Sequence, residues 1–215
     1  MKALLVALSL PLMAIPIAAS PSGDNGAATL TYTKSFPGSV PAYVEINLSK
    51  DGAGTYQEDP KDEDPVHFQL SDSEWAQIQN LVQKLDRFTR PVESGLKVAN
   101  MGMKTFRYTG PDGSHEVKFN YSEDNDARAL NEIFENIAES ERARIDLEIA
   151  VRFDKLGAQN AILRIEVLRD QKRLMSQQQF LPMLDRVAKN ESFLHMARER
   201  AAVLSEGIRK VTPGN

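Results

Sequence analysis

The run from Asp126 to Leu156 constrains this chain more than any other stretch, because no turn signal breaks it before Gly157. From Ile145 to Phe153 the apolar residues alternate strictly: Ile145, Leu147, Ile149, Val151, Phe153. Alternation alone suits a strand. At about 100° per residue the same positions fall instead into two stripes of a helix. Leu130, Phe134, Ile137, Ala138, Ile145, Ile149, Phe153 and Leu156 share one broad face, and Ile133, Leu147 and Val151 lie roughly opposite. Good helix formers, among them Ala127, Glu132, Glu135, Glu139 and Arg142, fill the gaps. The run therefore reads as one long helix, buried on two sides, between a sheet and a helical bundle.

The segments around it are short. Thr29–Lys34, Tyr43–Ser49, Thr55–Glu58 and Val66–Leu70 read as strands, with Val44, Ile46 and Leu48 on one face of the second. Asp51-Gly52 supplies the positive φ that a tight hairpin needs. Ser71-x-x-Glu74 is a capping box opening a helix to about Asp86, with Trp75, Ile78, Leu81, Val82 and Leu85 as its stripe. Met103–Thr109 and His115–Tyr121 form a second hairpin around Gly-Pro-Asp-Gly, with Phe106 and Tyr108 sharing a face with Val117, Phe119 and Tyr121. Asp124 is the expected N-cap of the long helix and Gly157 its C-cap. Ala158–Leu174 reads as the next helix. Ser176-x-x-Gln179 is read as a second capping box, Pro182 as a kink or a start, and Asn190 as the cap of a last helix with Phe193, Ala197, Ala201, Leu204, Ile208 and Val211 on its stripe. Four strands, a helix, two strands and four helices make an α+β protein: a small antiparallel sheet with one packed helix, a long central helix and a C-terminal helical bundle.

The N-terminus speaks to destination. Met1–Ala19 has one basic residue, Lys2, before the apolar run ALLVALSLPLMAIPIAA, the pattern of an export signal. Pro11 and Pro16 and the short run argue against a spanning helix, so no stable membrane insertion is expected after cleavage, which the sequence places at Ala19 or Ala28. Residues 20–27 read as a disordered leader, 28–121 as a sheet-plus-helix domain and 122–215 as a helical domain. The 215 residues contain no cysteine, which excludes disulfides, thiolate metal sites, a cysteine nucleophile and a lipidated N-terminal cysteine. With a net charge of −4 the chain is not expected to bind nucleic acid.

The Pro41-Ala42-Tyr43 start, the Asp51-Gly52 hairpin, the Phe68-to-Leu85 strand–helix step and the Phe106/Phe119 hairpin resemble small exported bacterial domains with no assigned activity. The resemblance covers roughly 28–121 and implies a fold without a mechanism. The last two helices are similar to one pair of an α-solenoid, too few for a repeat array.

No residue set points to catalysis. His67, His115 and His195 lie in three separate elements without metal-ligand spacing. Glu58, Asp59, Asp62, Glu63 and Asp64 could gather Ca²⁺, but they lack the spacing and the central glycine of a preformed loop. Asp124 and Asp126 suit a helix N-terminus. There is no Gly-x-Ser-x-Gly elbow, no Ser-x-x-Lys and no phosphate loop around Gly52 and Gly54. Arg142, Arg144, Arg152, Arg164, Arg169, Lys172 and Arg173 are interleaved with Glu139, Glu141, Asp146, Glu148, Glu166 and Asp170, which reads as a solvated face laced with ion pairs. Asn47, Asn120 and Asn190 match the glycosylation pattern. The expectation is an exported periplasmic or extracellular module that binds a protein or an envelope component, with neither cofactor nor metal. The alternative is a metal-independent hydrolase using dispersed carboxylates in a cleft between sheet and helices. A third possibility is a bundle carrying an apolar ligand near Phe134, Phe153 and Leu168.

Overall fold

Alternating apolar residues carry the first four strands, and the computed structural model, which describes residues 29–111 and 113–210, pairs them in sequence order. β1 (Thr29–Ser35), β2 (Tyr43–Leu48), β3 (Ala53–Gln57) and β4 (Val66–Gln69) form an antiparallel meander. β5 (Met103–Gly110) and β6 (Gly113–Phe119) then add to the free side of β1, giving one six-stranded sheet in the order β4-β3-β2-β1-β5-β6. The export-signal and leader expectations, and Val211, fall outside the described residues.

The register aligns one apolar face. Phe106, Tyr32, Ile46 and Tyr56 sit side by side across four strands, and Tyr108, Leu30, Leu48 and Gly54 form the next row. Gly54 is required there: a Cβ would lie 2.3 Å from the Phe68 ring, which occupies that space. At the first hairpin Gly52 takes φ +77 and Ser49 N–H donates to Ala53 O at 2.8 Å, as Asp51-Gly52 predicts.

Two helices cover the apolar face. α1 (Asp72–Lys84) begins in the expected capping box, with both reciprocal bonds between Ser71 and Glu74 present. α2 (Asn125–Phe153) is the long helix, 29 residues with no strand in it. Asp124 caps it, accepting from Asp126 N–H at 2.9 Å and Ala127 N–H at 3.1 Å. Burial would push the Asp124 carboxyl up, but its hydrogen bonds from Arg90 and these two amides hold it below the usual aspartate value. A depressed carboxylate stabilises above its unfolded pKa and loses that contribution as pH falls through the native one. Asp124→Ala is thus expected to cost about 1 kcal/mol in urea melts at neutral pH. The deficit relative to the unaltered protein should shrink as acid protonates Asp124 below about pH 3.9.

After α2 come α3 (Ala158–Asp170), a 3-10 turn at Gln177–Phe180, α4 (Leu181–Lys189) and α5 (His195–Lys210). The chain is α+β, with the bundle at its C-terminal end. Its apolar residues form two cores. One joins the sheet and α1 to Ala127, Leu130, Ile133, Phe134 and Ile137 of α2. The other joins Ala143, Leu147, Ala150 and Val151 of the same helix to α3, α4 and α5.

α2 is therefore shared along its length, which corrects the expected division by face. Ile133 belongs to the sheet core: three residues after Leu130 and four before Ile137, it lies on their side of the helix and not opposite them. Past Ile145 the sheet no longer covers the broad stripe. Ile149 is 52% exposed, Phe153 81% and Leu156 72%.

Three terminal signals also differ. α2 ends on Asp154, and Gly157 opens α3 at φ −69 with its N–H on Asp154 Oδ1 at 3.0 Å. Ser176 takes φ +52, in the left-handed region, where an N-cap needs extended backbone, so its Oγ makes no capping bond, and its N–H donates to Glu74 Oε1 at 3.0 Å. Asn190 ends α4 instead of opening α5, its Oδ1 accepting from Ser192 N–H at 3.0 Å. Pro182 stands at the start of α4, the second of its two expected roles.

Candidate functional site

The flank of α2 and the sheet leave a gap beside the β1–β2 connection. The result is a cleft of about 500 Å³ between the two layers. Its floor is the end of the apolar sheet face: Tyr32, Val44 and Tyr56. The β1–β2 connection forms a lip, with Phe36, Val40 and Pro41 lining the opening and Val40 84% exposed at its edge. The lip closes on itself: Phe36 N–H donates to Ala42 O at 2.8 Å, and Ser39 Oγ donates to Phe36 O at 2.7 Å. The far wall is α2, through Glu135, Ala138, Glu139 and Arg142, with Arg164 reaching in from α3. Helical spacing aligns 135, 138, 139 and 142 on one flank.

The charged lining is already paired. Lys34 meets Glu135 at 2.8 Å, Glu139 meets Arg173 at 2.7 Å and Arg164 meets Asp146 at 2.6 Å. Arg142 is held most loosely, 3.7 Å from Glu58. The two carboxylates that line the cleft, Glu135 and Glu139, sit about one turn apart on one wall and do not face each other. Both phenols in the floor keep their protons. Burial pushes Tyr32 well up, with the Glu135 charge adding, and its OH donates to Asn131 Oδ1 at 3.1 Å. Burial also raises Tyr56, whose OH donates to Glu58 Oε1 at 2.6 Å. The cleft offers an apolar floor, two hydroxyls and a mixed-charge rim.

The other sequence candidates lie elsewhere. His67 is exposed on β4, His115 is half-buried on β6 and His195 is exposed on α5 beside Glu199 at 3.2 Å. Among the described residues no group of three or more His, Asp or Glu side chains could hold a metal ion. In the acidic loop Asp59 Oδ1 accepts from Lys61 N–H at 2.9 Å and Asp62 Oδ1 from Asp64 N–H at 3.0 Å, so both carboxylates serve local turns. Asn47 and Asn120 use their side chains in hydrogen bonds to Thr31 and Glu45 and to Ala99 and Met101. Phe134, Phe153 and Leu168 do not line a common cavity: they sit in the sheet core, on the surface and in the bundle core respectively. Among the described residues no helix is long and apolar enough to cross a membrane.

The basic residues expected on a solvated face divide. Arg152 pairs with Glu148 at 2.5 Å on the surface. Arg144 and Glu141 do not belong there. Glu141 is 1% exposed, and Arg144 donates to its Oε2 through Nε at 2.8 Å while donating through Nη2 to His67 O at 3.0 Å. Burial raises the Glu141 carboxyl, and Arg144 pulls it back only in part. The flanking small residues Ser140 and Ala143, both 0% exposed, were the available signal that this turn of α2 is tightly packed. Lys104 was also missed. It shares the inward parity of Phe106, is 4% exposed and donates to Asn120 O at 2.9 Å. Burial and the neighbouring Lys34 charge lower its pKa.

No protein-family model matches this chain, and a comparison with curated proteins finds no match either.

Proposed function

We propose that this protein is an exported binding module, with neither cofactor nor catalysis, whose ligand site is the cleft between the sheet and α2. The observation that carries the reading is the cleft's lining: an apolar, phenol-bearing floor beneath charges that neutralise one another in pairs. Such a surface holds a ligand through burial and hydrogen bonds. General acid–base work instead needs a group poised to give or take a proton, and paired carboxylates on one wall with two protonated phenols supply none. Export is supported by the Lys2-led apolar run to Ala19. The partner class is a protein segment or an envelope component.

Native mass spectrometry of the protein purified gently from its host tests this. A retained mass is expected. Arg142→Glu reverses the most loosely held cation of the lining, and Val40→Asp places a charge on the lip; each should reduce retention at least about tenfold, the effect of losing one good contact. Hydrolytic turnover lost in both Glu135→Gln and Glu139→Gln, with no retained ligand, would overturn the proposal in favour of the hydrolase.

A further inference from the structure

We propose that this protein carries a second ligand site, a groove at the Thr29 end of β1 that takes a carboxylate-bearing oligosaccharide. Backbone strain marks the place. Asp86, Arg87 and Phe88 stand consecutively at φ +51, +52 and +66, in the left-handed region that residues with a Cβ adopt singly and at a cost. Strain of this kind collects at ligand sites. Phe88, 2% exposed and 5.3 Å from the Phe106 ring, anchors the turn in the core. The side chain that the turn delivers to the surface is Arg87, whose guanidinium lies 5.6 Å over the Tyr108 ring. Arg87 forms one edge of a hollow of about 160 Å³, with Lys50, Trp75, Gln79 and Gln83 around the rest. Trp75, Gln79 and Gln83 follow at four-residue intervals and so share one flank of α1. The indole is fixed in place. It lies against Gly52, where a Cβ would sit 3.2 Å from Trp75 Cβ, and its N–H donates to Lys50 O at 2.8 Å. Past Arg87 and Tyr108 the hollow opens into a further space of about 420 Å³ toward His115, the cross-strand partner of Tyr108, so a chain of rings can extend along it.

The lining selects the class of ligand. With its one polar atom bonded to the protein, Trp75 offers the groove a carbon surface, which suits the C–H face of a sugar ring. Sugar hydroxyls both donate and accept, and so match both halves of the Gln79 and Gln83 amides. A proline-rich segment also docks on aromatic grooves, but its prolines carry carbonyl acceptors and no N–H, which leaves the acceptor half of each amide unused. The charge selects an acidic sugar. Lys50 and Arg87 line the groove, and the one carboxylate of its lining, Asp86, is engaged by Arg90 at 3.4 Å. An arginine fork takes a carboxylate through two parallel hydrogen bonds. The cleft described above lies at the Lys34 end of β1, so the two sites are separate in place and in test.

Trp75 is the single tryptophan of the chain, so its fluorescence reports on this groove. The full protein is titrated with tetragalacturonate and with a hyaluronan tetrasaccharide, and at least one of them should shift the Trp75 emission saturably. Cellotetraose, which carries no charge, should bind at least about tenfold more weakly. Arg87→Gln, and Gln79→Ala combined with Gln83→Ala, should each weaken the acidic sugar at least about tenfold. Circular dichroism and the urea midpoint should stay unchanged in these variants, because all three side chains are exposed. Any of five results overturns the proposal: no shift with either acidic sugar up to millimolar concentration, cellotetraose binding as tightly as they do, the same shift from citrate alone, a polyproline peptide shifting the emission in place of the sugars, or binding indifferent to Arg87→Gln. Ligand retention in the cleft is read separately by mass and survives any of them.

Discussion

Phe134→Ala is expected to lower the free energy of unfolding by about 3–5 kcal/mol. Phe134 is 0% exposed and stacks on Tyr32 with ring centroids 4.7 Å apart and planes 5° from parallel. Its ring also lies 5.9 Å from that of Phe106, which in turn meets Phe88 at 5.3 Å and Phe119 at 5.0 Å. Truncation removes the ring that fixes α2 against the middle of the sheet. The void it leaves is bounded by aromatic rings on strands, which cannot collapse into it without moving the backbone. Phe153→Ala on the same helix is the internal control and should change stability by less than about 0.5 kcal/mol, since Phe153 is 81% exposed. Urea denaturation of both variants compares them. Equal costs would mean that the helix does not sit on the sheet as described.

The second large effect is an asymmetry. Arg144→Met is expected to cost about 3–5 kcal/mol, while Glu141→Leu should be close to neutral or stabilising. Removing the arginine leaves the Glu141 carboxylate buried with no cation beside it. Removing the carboxylate leaves an arginine at 15% side-chain exposure that still reaches solvent and the His67 carbonyl. The pH dependence follows from the raised Glu141 pKa. A carboxyl that binds its proton more tightly in the native state than in the unfolded chain makes stability fall as pH rises. That window opens at the unfolded value, about 4.3, and closes above the raised native one. Glu141→Gln should flatten that slope, and thermal melts across the window measure it. An unaltered slope in Glu141→Gln would assign the pH dependence to other groups.

Much of the fold was legible from sequence because the signals were local. The Asp51-Gly52 hairpin, the Ser71/Glu74 capping box, the Asp124 cap and the parity of Phe106 with Val117 and Phe119 each involve residues a few positions apart, and each stands as read. What failed was non-local. The period of Ile145, Ile149 and Phe153 reveals which face of α2 they occupy. It does not reveal that the sheet ends before that face does. A helix of 29 residues runs about 43 Å, at 1.5 Å per residue. Ser176 is the correct residue type for a cap, but its amide donates instead to Glu74, 102 positions away in the chain, and its backbone is left-handed. The cleft was invisible for the same reason: its lining comes from three strands, a loop and two helices, and no two of these contributions make a motif.

The double duty of Glu74 has a consequence for the order in which the chain assembles. Its Oε2 accepts from Ser71 N–H at 2.7 Å, three residues away, and its Oε1 accepts from Ser176 N–H at 3.0 Å. The first bond can close as soon as α1 nucleates, on the sub-microsecond scale of a helical turn. The second closes a loop of 102 positions, about half of the chain, and so carries a much larger entropic cost and follows the first. One carboxylate is therefore recruited twice, first as a helix start signal and last as a latch between the layers. Until the latch closes, the half of that carboxylate meant for Ser176 faces water, and the early chain has nothing buried that waits unsatisfied for its distant partner.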